Sequence, residues 1–387
     1  MYLSRIIESD IRSALQHNPA VAILGPRQCG KSTLVKHLLR NEEQSLYLDL
    51  ERPSDQQKLV DPEWFLTTQS QKLVCLDEVQ RMPEIFPLLR SLIDEQGRKG
   101  MYVILGSASR DLIRQSSESL AGRIHFHRLT PFLFSEIQHQ VDLETYLSRG
   151  GFPRSILADQ DDVSFRWRED FISTFLERDL LQFAGFTPIT MRRLWQMLAH
   201  MNGQTANYSK LGDALGISHT TVRKYIDLLE GTFMLTQLPP YFANTKKRLI
   251  KSPKVYLSDT GIVAALLQLH DFNQLAGHPV MGTLWEGMVL QQLKGHFPNL
   301  ECSFYRTNHG HEIDIVVMHG SRKLAIECKV SSAPSLSKGN YKALDDIHPE
   351  KCFVLAPVPQ GYSMHKSIEV VRIHEFIEKI RAWMDSY

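Results

Sequence analysis

The chain has 387 residues, 43 % hydrophobic and 22 % charged, which excludes a disordered or fibrous chain. A net charge of +1 excludes a global field for nucleic acid or membrane, so any such attraction has to be local. The five cysteines, Cys29, Cys75, Cys302, Cys328 and Cys352, stand far apart without a CxxC, which argues against a zinc site or disulfide framework and suits a reducing cytosol.

The opening MYLSRIIESD carries acids and lacks an apolar core, unlike a secretory signal. No apolar run approaches the roughly 20 residues that span a bilayer. The expectation is a cytoplasmic protein of two or three domains, with no membrane partner.

In chain order, VAILG (21–25), SLYLDL (45–50), KLVCLDE (72–78) and MYVILGS (101–107) read as strands, and KSTLVKHLLR (31–40) and PEIFPLLRSLIDEQ (83–96) as the helices between them. Continuous apolar runs alternating with helices predict an α/β domain with a parallel sheet buried on both faces.

Between the first strand and first helix lies Gly25-Pro26-Arg27-Gln28-Cys29-Gly30-Lys31-Ser32-Thr33, which fits G-x-x-x-x-G-K-[ST] completely. Gly25 and Gly30 let consecutive backbone N–H groups face phosphates, and the helix from Lys31 aims its positive end at them. Lys31 is the expected ligand of the β- and γ-phosphates of ATP, and Ser32 of Mg²⁺. Leu73 to Glu78 is an apolar strand ending in two acids: Asp77 would hold Mg²⁺ through water, and Glu78 would orient the attacking water as general base. Alone, the pair could be two solvated acids. Ser107, Ala108 and Ser109 end the strand 103–107 as a γ-phosphate sensor or a helix cap. Arg123 is a candidate arginine finger or an ordinary surface arginine.

From about 143 the pattern is helical, with RWREDFISTFLERDLLQF (166–183) and MRRLWQMLAHM (191–201) at 3.6-type spacing. Residues 207–231, NYSKLGDALGISHTTVRKYIDLLEG, have helix-turn-helix grammar. Ser209 is the expected cap of a first helix with Leu211, Ala214 and Leu215 inward. Gly216 makes the turn, and Ser218 caps a second helix presenting His219, Thr220, Thr221, Arg223 and Lys224. TFMLTQL (232–238) and KVYLSD (254–259) would form a β-wing around a basic run of Lys246, Lys247, Arg248, Lys251 and Lys254. Residues 190–256 carry +7 while the rest carries −6, the footprint of phosphate contacts. DNA is the expected partner; protein contact with a solvated basic face is the alternative.

The last third returns to strands: SFYRT (303–307), EIDIVVMHG (312–320), KLAIECKV (323–330) and CFVLAP (352–357), with a loop at 331–340. Asp314 sits on one strand and Glu327-Cys328-Lys329 on the next, with Glu327 and Lys329 on one face. Glu286 lies on an amphipathic helix, TLWEGMVLQQLKGHF (283–297). Acid-bearing helix, Asp, then Glu-x-Lys is the PD-(D/E)xK nuclease order. Asp314 and Glu327 could hold Mg²⁺ or Mn²⁺ with the Cys328 carbonyl, and Lys329 could activate water. A structural ion-pair cluster is the alternative.

With these motifs in place, the chain resembles a large prokaryotic family of AAA-type ATPases. Its members carry a C-terminal domain of unknown function similar to a winged helix followed by a restriction-endonuclease-like fold. Besides the phosphate loop and LVCLDEVQ (73–80), the resemblance rests on YLDLERP (47–53), GSAS (106–109), ESLAGRI (118–124), LTPFLFSEI (129–137), GGFP (150–153), FLERDL (175–180), NYSKLGDALGIS (207–218) and KSPKVYLSDTGI (251–262). It implies ATP hydrolysis, with homo-oligomerisation or a DNA partner, and suggests Arg123 as a trans-acting arginine. The expected fold is α/β: a P-loop AAA+-like domain at 1–142, a helical connector at 143–189, a winged helix at 190–258 and a PD-(D/E)xK nuclease-like domain at 259–387. The expected function is Mg²⁺-dependent ATP hydrolysis coupled to DNA binding and possible cleavage. Its rivals are a nucleotide-regulated binder of DNA or protein with an inert C-terminal site, and a nucleotide-sensing scaffold without DNA.

Overall fold

The computed structural model describes residues 2–40, 42, 44–107, 119–179, 185–242 and 250–386. Ala108, Ser109, Lys246, Lys247 and Arg248 lie outside them. The chain divides into two compact units: residues 1–132 with 231–233, and residues 133–230 with 234–387.

The first unit is α/β. Strands β1 (Ala20–Gly25), β2 (Ser45–Asp49), β3 (Leu73–Asp77), β4 (Tyr102–Ser107) and β5 (Ile124–Arg128) form a wholly parallel sheet in the order β2-β3-β4-β1-β5. The central strands β1, β3 and β4 are buried as their apolar runs predict. The outer strands depart from this: β2 is mostly half-buried because it lies at an edge, and β5, IHFHR, escapes an apolar-run search because its histidines and arginine sit at the other edge. One face of the sheet packs Ala22, Leu24, Leu76 and Ile104 with Phe86 and Leu89, and the other packs Val21, Ile23, Val103 and Leu105 with Leu34, Val35 and Leu38. The order puts the carboxyl ends of β1 and β3 two strands apart, facing the start of the helix Lys31–Leu39.

The second unit begins with helices, among them Leu143–Arg149, Asp161–Thr174 and Pro188–His200. The helix expected over 166–183 starts earlier, at Asp161, and turns into a π-helical segment at Phe175–Asp179; residues 180–184 are outside the described set. Arg168 is fully buried here. It donates to the carbonyls of Ser148 and Gly261, and the Asp259 carboxylate lies near it. Asp259 accepts from Gly151 N at 2.7 Å and Ile262 N at 2.9 Å.

Helices Tyr208–Leu215 and His219–Gly231 follow, with β6 (Gln204–Thr205), β7 (Leu235–Leu238) and β8 (Lys254–Leu257) in a small antiparallel sheet ordered β6-β8-β7. The first helix is capped by Asn207, not Ser209: the Asn207 side chain accepts from Lys210 N at 3.1 Å. Leu211 and Gly212 are buried, but Ala214 is exposed and Leu215 half-buried. Gly212, not Ala214, is the position that meets the turn: a Cβ there would lie 2.6 Å from Ile217 O. Ser218 caps the second helix through Thr221 N, as expected, and Val222, Tyr225 and Leu229 point inward.

The remainder is a six-stranded mixed sheet, β13-β14-β12-β11-β10-β9, built from β9 (Glu301–Arg306), β10 (Glu312–His319), β11 (Arg322–Cys328), β12 (Lys351–Leu355), β13 (Tyr362–His365) and β14 (Ile368–Val371). β10 runs antiparallel to β9 and β11, while β11, β12 and β14 are parallel. The loop expected at 331–340 gives way at Lys338 to a helix, Lys338–Ile347, whose capping box is Ser337 with Asn340. The helix Met281–His296 is not amphipathic: Leu284 to Leu290, Gln292 and Leu293 are all buried.

Candidate functional site

In the first unit, the sheet delivers Gly25 and Asp77 to the ends of β1 and β3. Gly25 has to be glycine, because a Cβ there would sit 2.1 Å from Leu129 O. Gly30, at φ +101°, takes the left-handed turn into the helix, where Lys31 is buried, Ser32 half-buried and Thr33 exposed. Pro26 and Cys29 are buried, and Arg27 lies 3.7 Å from Glu51. Gln28 is exposed at φ +60°. The Lys31 ammonium donates to the carbonyls of Gly25 at 2.9 Å and Pro26 at 2.8 Å, so the loop's own oxygens fix its arm.

Ser32 Oγ donates to Asp77 Oδ2 at 2.6 Å, and Tyr47 OH donates to the same oxygen. Burial, then Asp77, pushes the Tyr47 hydroxyl well above its ordinary range and keeps it a donor. A hydroxyl and a carboxylate converging this closely form the hard-oxygen set that suits Mg²⁺. Glu78 follows in the left-handed conformation, φ 57°, with its backbone N–H on Asp77 Oδ1 and its carboxylate bound by Gln80 Nε2. Arg123 is half-buried and makes a two-pronged contact with Asp94, at 2.6 Å through Nε and 2.8 Å through Nη2. Ser107 closes β4.

The motif search missed two groups here. Arg5 donates to the carbonyls of Cys29 at 3.1 Å and Thr130 at 2.7 Å, bracing the phosphate loop from below. Tyr47 stood in YLDLERP, but its role depends on β2 lying beside β3.

The second unit gathers the other predicted set. Asp314 on β10 faces β11, where its Oδ2 accepts from Cys328 N at 2.9 Å. Glu327 is bound by Lys329 Nζ at 2.6 Å and Asn340 Nδ2 at 2.9 Å through one oxygen, and the other is buried without a hydrogen-bond partner. Glu286 accepts from Tyr256 OH.

Lys254 contradicts its assignment to the basic run. It is 2 % exposed, and its Nζ lies 2.7 Å from Glu286, 2.8 Å from Glu312 and 3.5 Å from Asp314. These carboxylates hold the ammonium charged against the pull of burial. Of that run only Lys251 is an exposed, described residue. With Lys254, Lys329 and Asn340 in place the carboxylates do not form an open cation set, and among the described residues no group of three His, Cys, Asp or Glu is arranged to hold a metal.

Burial, then Asp314, pushes Glu286 up to about 7 and Glu327 up to about 8. A carboxyl raised above its ordinary 4.5 stabilises the fold fully below that value, and the contribution is lost as pH rises through 7 and 8. The melting temperature is therefore expected to fall between about pH 4.5 and 8, and Glu286→Gln to remove the part of that fall that ends near 7. Melts of both proteins across that range check this; a parallel fall in the variant counts against it.

This parallel sheet and phosphate loop define a P-loop ATPase domain of the AAA class: residues 17–138 match the family described as an AAA domain. Residues 140–273 and 281–376 match two families described as domains of unknown function, DUF8612 and DUF4143. The chain belongs to one family with uncharacterized proteins of Mycobacterium tuberculosis and Mycobacterium bovis, each 37 % identical over 362 residues, covering 93 % of this chain and 81 % of the relative. An uncharacterized protein of Haemophilus influenzae is 26 % identical over 62 % of this chain and 67 % of its own. Among solved structures, a Walker-type ATPase of Pyrococcus abyssi is similar at 15 % identity and a TM-score of 0.48, covering 69 % of this chain and 96 % of that one. RuvB of Thermotoga maritima is similar at 16 % identity and a TM-score of 0.30, covering 61 % and 90 %. Among the described residues no helix is long and apolar enough to cross a membrane.

Proposed function

We propose that the chain is a Mg²⁺-dependent ATP hydrolase whose second unit binds DNA without cleaving it. The observation that carries the ATPase part is the 2.6 Å contact between Ser32 and Asp77, which brings the two expected Mg²⁺ oxygens together behind the phosphate loop. Backbone N–H groups of 27–32 and the Lys31 ammonium would bind the phosphates, Ser32 directly and Asp77 through water would hold Mg²⁺, and the ion would supply charge neutralisation of the phosphates. Glu78 accepts a proton from the attacking water. Its bond with Gln80 holds the carboxylate until substrate is present. Arg123 would act on a neighbouring copy's ATP after exchanging Asp94 for the γ-phosphate.

DNA binding is supported by the helix His219–Gly231, which exposes His219, Thr220, Arg223 and Lys224 opposite its buried Val222, Tyr225 and Leu229. We read helix Pro188–His200, the helix pair and sheet β6-β8-β7 as a winged-helix order of elements, in which the second helix of the pair would enter the major groove. Lys254 favours binding without cleavage, since it fills the place a nuclease's cation would need. Replacing Arg223 and Lys224 with Glu is expected to weaken duplex binding across all sequences and to lower the log–log salt slope by about one unit per lost phosphate contact. Titrations at several salt concentrations test this; unchanged affinity and slope would assign the helix to protein contact. ATPase assays with and without DNA test the coupling.

A further inference from the structure

The carboxylate cluster of the second unit is organised around an ammonium. One Nζ carries three donors, and Lys254 Nζ has three carboxylates around it, at 2.7 Å from Glu286, 2.8 Å from Glu312 and 3.5 Å from Asp314. The acids come from a helix and from β10, while the lysine comes from β8 of the small sheet, so the cluster joins elements distant in sequence. Phe304 closes one side, its ring centre 5.5 Å from the ammonium. Three carboxylates at such range repel unless a cation intervenes.

The neighbours of the ammonium are the oxygen ligands a hard divalent ion takes. Glu327 adds a second, independent sign: buried at 3 % exposure, it keeps one carboxylate oxygen with no hydrogen-bond partner. A cluster built only as a salt-bridge network would be expected to satisfy that oxygen.

We infer that Lys254 is a built-in cation: its ammonium stands where a divalent ion would lie among Glu286, Asp314 and their neighbours, and removing it alone opens a site for Mn²⁺ or Mg²⁺. The inference rests on the reading of this cluster as non-cleaving in the folded chain. It involves neither ATP nor DNA, so its failure and that of the proposed activity are distinguishable.

The test uses the full-length chain, stripped of metal and nucleotide, and follows melting temperature and Mn²⁺ binding by electron paramagnetic resonance. Wild type is expected to bind no Mn²⁺ at this cluster and to melt at the same temperature with and without it. Lys254→Met is expected to melt lower without metal, to bind one Mn²⁺ per chain, and to recover several degrees on binding. Adding Asp314→Asn to Lys254→Met should abolish both binding and recovery, which places the ion in this cluster rather than at the phosphate loop. If Lys254→Met does not fold in chelator, Mn²⁺ should fold it, and Lys254→Met with Glu286→Gln should fold without metal. A Lys254→Met protein that binds no Mn²⁺, folded or not, overturns the inference. So does wild type binding Mn²⁺ as tightly as the variant, or recovery that persists with Asp314→Asn.

Discussion

Glu78→Gln is expected to bind ATP as tightly as wild type and to hydrolyse it roughly 10²- to 10⁴-fold more slowly, the usual contribution of a positioned general base. Glutamine keeps the shape and can still meet Gln80, so binding should survive while the proton acceptor is lost. Lys31→Ala should behave in the opposite way: the ammonium that the loop carbonyls hold in place is removed, and nucleotide binding itself falls. Fluorescent-nucleotide titration beside single-turnover hydrolysis separates the two. Hydrolysis by Glu78→Gln at the parental rate would remove Glu78 from the mechanism.

Asp259→Ala is expected to cost the second unit several kcal/mol, at roughly 1–3 kcal/mol for each buried N–H left without its acceptor. The alanine would strip acceptors from Gly151 N and Ile262 N and leave Arg168, 0 % exposed, without the carboxylate that offsets its burial. Burial pulls the Arg168 guanidinium down to about 10 even with Asp259 beside it. Asp259→Asn keeps the shape and one acceptor, so its cost should be smaller. Urea titration of the three proteins checks the order; equal midpoints would show that Asp259 holds nothing together.

The phosphate loop was legible because its chemistry is local: a glycine turn, a lysine and a hydroxyl within eight residues, preceded by an apolar strand. Strands β1, β3 and β4 were legible for a related reason, since burial on both faces writes an uninterrupted apolar run. Strand β5 was not, because an edge strand tolerates His125, His127 and Arg128. Among the predicted C-terminal residues, Asp314, Glu327 and Lys329 do meet, and strand alternation was enough to foresee it. Lys254 was misread because lysines nearby in sequence suggested a solvated run. What decides its place is Glu286, Glu312 and Asp314, 32 to 60 residues away. Composition places a charge on a surface by default; only tertiary pairing brings it inside. Asn340, which binds Glu327, was hidden by reading 331–340 as loop.

The helix Met281–His296, buried along its middle from Leu284 to Leu290, bears on where this chain can be cut. It packs against helices Leu143–Arg149 and Thr260–Leu266 and against β11. Asn202 Nδ2 donates to Thr283 O, and a Cβ on Gly287 would touch Tyr256. Its covering thus comes in large part from residues before 281, the point where one of the recurrent sequence families begins. A fragment starting at 281 would expose Met288, Val289 and Leu293 to water and aggregate, whereas excision from Leu133 onward would keep that helix wrapped.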